Sequence, residues 1–254
     1  MTFWDRLSTH TLDARPRHTP VIVPIAATEQ HGPHLPLATD RILADHIAAD
    51  LDRRVGDAVL ILPTAAIGCS DHHNGFAGTL SLRHTTLLGY LEDVVGAVAD
   101  QDFDNIVILN AHGGNQGIAQ VALERLGARF PHIRIANTSW WRLAAPELLD
   151  ISESGPGGTG HACELETSMM LVAAPDFVHM DLAPARRNAP LNAFDHGDML
   201  RGARAAFYRR SEDIASTGVF GDPTTATPDK GERALTAIAE QLDALVRTLA
   251  QDAT

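Results

Sequence analysis

Apolar runs of strand length alternate with stretches of helical spacing along this chain. VIVPIAA (21–27) is almost wholly apolar and reads as a buried strand. Its proline cannot donate to a ladder, which predicts an edge or a bend there. From Asp40 the spacing changes. Ile42, Leu43, Ile47 and Leu51 recur at helical intervals, so a helix is expected, with Asp40 as its N-cap or first-turn acid. AVLILPTAAIG (58–68) predicts a second strand, NIVILN (105–110) a third and HIRIANTSWW (132–141) a fourth. Helical spacing returns over 81–101, where Leu87, Leu88, Leu91, Val94, Val95 and Val98 share a side. It returns again over 117–130, 162–174 and 232–250. The stretch 175–230 is rich in Pro, Gly and Asp and reads as long connections.

Strands that are apolar on both faces, alternating with helices, belong to a largely parallel sheet covered on both sides. The expected fold class is therefore α/β. A chain of 254 residues is near the size at which one core stops growing, so a single domain over 1–254 is expected. In such sheets ligands bind outside the carboxyl ends of the strands.

Two polar clusters fall at such ends. TEQHGPHLPLATD (28–40) follows the first strand and brings Glu29, His31 and Asp40 close together. Glu29 and His31 are two apart, so in extended chain they point the same way. Asp40, at a helix start, can come back toward them. Two carboxylates and an imidazole make a hard-to-borderline metal set. The competing reading is a capping Asp40 and a His31 that merely decorates a turn. NAHGGN (110–115) follows the third strand and adds His112, with glycines that permit a tight turn. A third segment, GTGHACELETS (158–168), supplies His161, Glu164 and Glu166. His161 and Glu164 share a helix face at i, i+3. His161 and Glu166 do so only if His161 precedes the helix, so spacing leaves both glutamates open.

Charge narrows the function classes. The net charge of −12 disfavours non-specific binding to nucleic acid or to an anionic membrane. Two cysteines, Cys69 and Cys163, are too few for a disulfide scaffold. No basic start with an apolar stretch marks a signal peptide, and no apolar run reaches the ~20 residues of a membrane span. A cytoplasmic location is the expectation. No G-x-G-x-x-G or G-x-x-x-x-G-K-[ST] stretch follows a strand, which disfavours a nucleotide-binding module.

Taken together, TEQHGPHLPLATD, NAHGGN and HACELETS resemble the signature segments of the creatininase family of metal-dependent amidohydrolases. SDHHNGFAGTLSL (70–82) and GVFGDPTTATPDKGE (218–232) resemble two further segments in the family's order. The resemblance implies a three-layer α/β/α sandwich, often a hexamer, with two divalent ions (Zn, Mn or Fe) per subunit. Carried over by position, Glu29, Asp40 and His112 would hold one ion. His31, Asp40 and Glu166 would hold the other, Glu166 being preferred to Glu164 on resemblance alone.

The implied activity is cleavage of a C–N amide bond in a small molecule, cyclic amide or formamide, by metal-activated water. His161 is the candidate general acid, with Glu166 relaying protons. Gly113 and Gly114 are expected to offer backbone donors, and His73 and Trp141 to contact substrate. The alternatives are a peptidase acting on a modified peptide and a metal-binding member without turnover. Arg83 or Arg142 would suit a phosphorylated substrate.

The chain departs from the family pattern in four places. Gly114 stands where creatininase carries an acid, Gly157 where it carries a Trp, His72 in place of a Glu and Ala77 in place of a Pro. The first two point away from creatinine as substrate, and His72 and Ala77 are expected to reshape the pocket wall. His34 is expected to orient its loop, His46 to be second to the site or on the surface, and Trp140 to pack in the core. Cys163 lacks surroundings that would lower its pKa.

Overall fold

Alternate residues of the first strand feed two different cores, which is why the run has no polar positions. Ile22 packs with residues of the helices at Thr39–Val55, Glu164–Ala173 and Pro228–Gln251, whereas Val21, Val23 and Ile25 pack with residues of those at His84–Ala99 and Gln116–Arg129. The third strand divides the same way, Val107 and Leu109 to one side and Ile106 and Ile108 to the other. A period of two with both sets apolar is what a sheet covered on both faces requires.

The computed structural model describes residues 2–184, 192–195 and 197–251. In chain order its elements are α1 (Thr9–Asp13), β1 (Val21–Ile25), α2 (Thr39–Val55), β2 (Leu60–Ile61), α3 (His84–Ala99), β3 (Asn105–Asn110), α4 (Gln116–Arg129) and β4 (Arg134–Ser139). There follow α5 (Trp140–Leu143), α6 (Ala145–Ile151), α7 (Glu164–Ala173), α8 (Ser211–Ile214) and α9 (Pro228–Gln251). Among the described residues the sheet has the order β2-β1-β3-β4, and every pairing is parallel. The fold is α/β, with helices on both faces of a parallel sheet.

Three boundaries differ from the sequence expectation. The 58–68 run is strand for only two residues, because β2 pairs with β1 at Val21 and Ile22 and then peels away. β1 is an interior strand, so the edge expected from Pro24 is not found; the missing N–H falls instead on the side where β2 has ended, and the Pro24 carbonyl there accepts from Ala65 N at 3.0 Å. Trp140 and Trp141 begin α5 rather than ending β4. Of 175–230, the described part up to Thr227 holds only short turns of helix, including α8, whereas α9 begins at Pro228, four residues before the expected helix; residues 185–191 and 196 lie outside the described residues.

α9 closes the second layer. Ala234, Leu235, Ile238, Ala239, Leu242 and Val246 are buried at three- and four-residue spacing. It lies so close to α7 that a Cβ on Gly231 would stand 2.0 Å from the Ser168 carbonyl oxygen. No helix among the described residues is long and apolar enough to cross a membrane.

Candidate metal and active site

The loop after β1 explains the density of ionisable groups in 28–40. Glu29 N donates to Leu37 O at 3.0 Å, which folds the segment back on itself. Thr39 Oγ1 then donates to Pro36 O at 2.7 Å and α2 begins, with Asp40 in its first turn. Asp40 thereby returns beside the residues it left. Glu29, His31 and Asp40 are all buried.

Each histidine of this cluster is fixed from behind by a backbone carbonyl. His31 Nδ1 donates to Glu29 O at 3.2 Å, and its Nε2 faces Asp40 Oδ1 at 3.1 Å. His112 Nε2 donates to Cys69 O at 3.0 Å, and its Nδ1 lies 3.2 Å from both Glu29 Oε1 and Asp40 Oδ2. Asp40 thus presents one oxygen to each imidazole. Outer N–H on a carbonyl, inner nitrogen turned toward the carboxylates, is the arrangement that readies a histidine for a cation. The buried atoms Glu29 Oε1 and Oε2, His31 Nε2 and Asp40 Oδ2 have no hydrogen-bond partner. Unpartnered buried carboxylate oxygens are costly in a stable protein. A divalent cation would satisfy them, and the Glu, Asp and His donor set suits Zn or Mn.

The third segment completes the cluster from α7. His161 lies before the helix, bridged to Phe220 by reciprocal backbone bonds of 2.9 Å. The chain turns through Ala162 at φ +52°, an uncommon conformation for a side chain with a Cβ. Ala162 N donates to Glu166 Oε2 at 2.5 Å, aiming that carboxylate inward. His31, Asp40 and Glu166 each offer a ligand atom within 4.8 Å of the others. Glu164 points elsewhere. It accepts from Ser152 Oγ at 2.6 Å, Ser154 N at 3.0 Å and Lys230 Nζ at 2.6 Å. The two glutamates left open by spacing are therefore separated by position: Glu166 faces the cluster and Glu164 holds a neighbouring loop.

Electrostatics follow from the crowding. Burial works against the charged form of Glu29, but His112 outweighs it and holds the carboxyl below its ordinary value. Burial likewise opposes Asp40, and His31 and His112 together hold it well down. Burial would lower His31, yet Asp40, Glu166 and Glu29 raise it to about 9. Glu166 is pushed up to about 7 by burial, with Asp40 and Glu29 adding to it. His161 is driven down to about 3 by burial and by His31. Such opposed shifts within one cleft mark functional sites.

A cavity of about 780 Å³ opens onto the cluster. Glu29, Asp40, His112, His161 and Glu166 line its floor, with Trp141 and Phe220 among its apolar walls. Gly113 lines the cavity, whereas Gly114 faces the Cys69 carbonyl. His73 is buried, with Nε2 3.4 Å from Glu29 Oε1. Arg142 lines the cavity and Arg83 does not. His34 Nε2 meets Thr167 Oγ1 at 3.0 Å, tying the loop to α7. His46 pairs with Asp50 on α2, away from the cavity. Trp140 is buried in the core, and burial pushes the Cys163 thiol up to about 12.

Two residues escaped the sequence reading. Gln30 donates from Nε2 to Gly218 O at 3.0 Å and to His73 Nδ1 at 2.8 Å. Its backbone oxygen accepts from His161 Nε2 at 2.7 Å. A glutamine between two ligands carries no periodic signal. Lys230 escaped too, although being the chain's sole lysine was a hint.

Comparison with known proteins agrees with this geometry. The Creatininase family model, described as creatinine amidohydrolase, matches residues 5–246. A mycofactocin precursor peptide peptidase of Mycolicibacterium smegmatis is 36% identical over 220 residues, covering 84% of this chain and 78% of the relative. The creatinine amidohydrolase of Pseudomonas putida is 25% identical over 227 residues, covering 84% and 82%. A solved structure named "Creatininase Mn" has a TM-score of 0.82 at 24% identity, covering 97% of this chain and 98% of that one, a likeness of fold.

Proposed function

This chain belongs to the creatininase family, and on that footing we propose that it is a hydrolase of C–N amide bonds that holds two divalent cations and acts on a short peptide. The observation that carries the reading is the set of buried, unpartnered atoms of Glu29, His31 and Asp40 on the floor of an open cavity. Glu29, Asp40 and His112 would hold one cation. His31, Asp40 and Glu166 would hold the other, with Asp40 common to both. When bound, such cations lower the pKa of water toward ~7 and polarise a carbonyl oxygen.

The chain's own residues do the rest. Gln30 O fixes the proton of His161 on Nε2, which leaves Nδ1 bare and 3.5 Å from Glu29 Oε1. His161 is kept neutral in this cleft, so a proton taken from the attacking water at Nδ1 is held only in passing and is given up at once to the departing amide nitrogen. Amide nitrogen leaves only once protonated, so this transfer is required. Phe220 packs 5.3 Å from the His161 ring, helping to hold it in place and keep bulk water away. Trp141 and Gly113 offer an apolar face and a backbone edge for the substrate.

Two observations support a peptide over a small cyclic amide. The cavity is far larger than a creatinine ring needs, and the chain is more similar to a peptide peptidase than to creatinine amidohydrolase. A small amide or formamide is the second reading, supported by the Pseudomonas putida relative. The test is to load the purified protein with Zn or Mn and offer short peptides, lactams and formamides. Metal-dependent release of new amino termini from peptides is expected. Release of formate or ring-opened products alone overturns the peptide reading in favour of the second.

A further inference from the structure

The segment before α3 contributes a histidine that the two ligand sets above leave out. His72 stands in a short turn of helix, Asp71–His73, after the second apolar run. That turn is fastened to the floor of the site. Cys69 N donates to Asn115 Oδ1 at 2.9 Å, and Asn115 Nδ2 donates to Ala26 O at 3.1 Å. Ser70 N donates to Ser81 Oγ at 2.8 Å, and Ser70 Oγ meets His112 Nε2 at 3.2 Å. The end of β1, the glycine turn after β3 and the His72 turn are thus tied into one frame.

Within that frame a ring nitrogen of His72, one of His112 and a carboxylate oxygen of Glu29 all lie within 4.8 Å of one another. The His72 ring runs nearly parallel to that of His112, at 12° with centroids 5.7 Å apart. Space for it depends on Gly114. A Cβ there would stand 2.9 Å from His72 Cε1, 2.5 Å from His112 Nε2 and 2.0 Å from Cys69 O. The neighbouring histidines each spend one nitrogen on the protein: His31 on Glu29 O, His73 on Gln30, His112 on Cys69 O and His161 on Gln30 O. His72 makes no such side-chain bond among the described residues, and its half-buried ring lines the cavity. Its nitrogens are free to turn onto a cation.

We propose that His72 is a further ligand to the cation held by Glu29, Asp40 and His112, so that this chain closes one of its two cation positions with a fourth side chain. Ligand bonds of about 2.0–2.1 Å put donors on one Zn no more than about 4.2 Å apart, so binding asks the His72 ring to turn inward from its present place. A position with four protein donors is closed, and one with three keeps room for water or substrate. The His31, Asp40 and Glu166 position is then the one left open to the substrate. This rests on the two-cation reading above, but it concerns a residue that reading does not use.

The experiment titrates the metal-free protein with Zn²⁺ against a chromophoric chelator, for the wild type, His72→Phe and His72→Ala. His72→Phe keeps a ring against His112 and removes both nitrogens. Thermal melting of each metal-free variant checks that the fold is kept. The wild type is expected to bind two equivalents. In both variants one of the two dissociation constants should rise at least about 10-fold while the other stays unchanged. Co²⁺-loaded His72→Phe should also show altered visible absorption, as expected when an imidazole ligand is lost. Two equivalents in the wild type with unchanged constants and spectra in both variants overturn the His72 assignment alone. A wild type that binds no cation overturns the hydrolase reading, and this inference with it.

Discussion

Lys230 Nζ lies 2.6 Å from Glu164 Oε1, joining the first turn of α9 to the first turn of α7 two residues before Glu166. The pair is buried, and Glu164 also accepts from Ser152 Oγ and from the Glu153 and Ser154 backbone. It therefore anchors the 152–154 loop and the helix that aims Glu166. Lys230→Met should leave Glu164 buried without its cation, at a cost of about 3–5 kcal/mol in urea unfolding. Burial opposes the charged form of Glu164, but Lys230 and the serines outweigh it and hold the carboxyl at about 2, below its ordinary 4.5. The stability it supplies is present above pH 4.5 and is lost as pH falls through about 2. Lys230→Met should flatten the stability profile across that acid window.

Glu164 and Glu166 should part company in metal content. Glu164→Gln is expected to lower the melting temperature and keep both cations, since none of its bonds reaches the cluster. Glu166→Gln is expected to lose one cation and most of the activity. Asp40→Asn, which alters the carboxylate placed between His31 and His112, should lose both cations and turnover together. Metal analysis of the three purified variants, set beside the wild type's expected two equivalents, checks all of this in one experiment.

Cation loading should release protons at mildly acid pH. His31 is raised to about 9 and Glu166 to about 7, so both carry protons at pH 6 and must lose them to bind a cation. Affinity should therefore climb as pH rises from 6 toward 9. Calorimetric titration with Zn²⁺ in buffers of different ionisation enthalpy reads the number released. Glu166→Gln should release about one fewer proton at pH 6 than the wild type.

Much of this was legible in the residues themselves. β1 and β3 announced themselves because both their faces are apolar, and α2 did because its buried side repeats at helical spacing. β2 and β4 were overdrawn. Apolar content marks burial, and residues 62–68 are partly buried beside the end of β1 and meet it only through a single bridge at Ala65. Trp140 and Trp141 are buried in a helix that β4 feeds directly, so hydrophobicity alone could not show where the strand stops. At the site, Glu29, His31, Asp40 and His112 stood out as ionisable groups just past strand ends. Spacing left Glu164 and Glu166 open and resemblance alone preferred Glu166; the left-handed turn at Ala162 that aims it is something no spacing rule shows. Gln30 and Lys230 act through hydrogen bonds to residues as distant as Gly218 and Glu164, and such partners leave no local trace.

His161 offers the sharpest test of chemistry against coordination. Its Nε2 is committed to Gln30 O, and its Nδ1 faces Glu29 Oε1 at 3.5 Å. Its ring also packs against His31, His73 and Phe220, with centroids 4.2, 4.4 and 5.3 Å away. A residue so placed can move a proton into the cleft while its orientation stays fixed. His161→Ala should keep two cations per chain and lose about 10²–10⁴ in kcat, the usual worth of a positioned acid–base group. His161→Gln should recover none of the rate, because an amide cannot take up and return the proton. Metal analysis beside steady-state kinetics separates the two roles: a variant that loses a cation along with its rate marks His161 as a ligand instead.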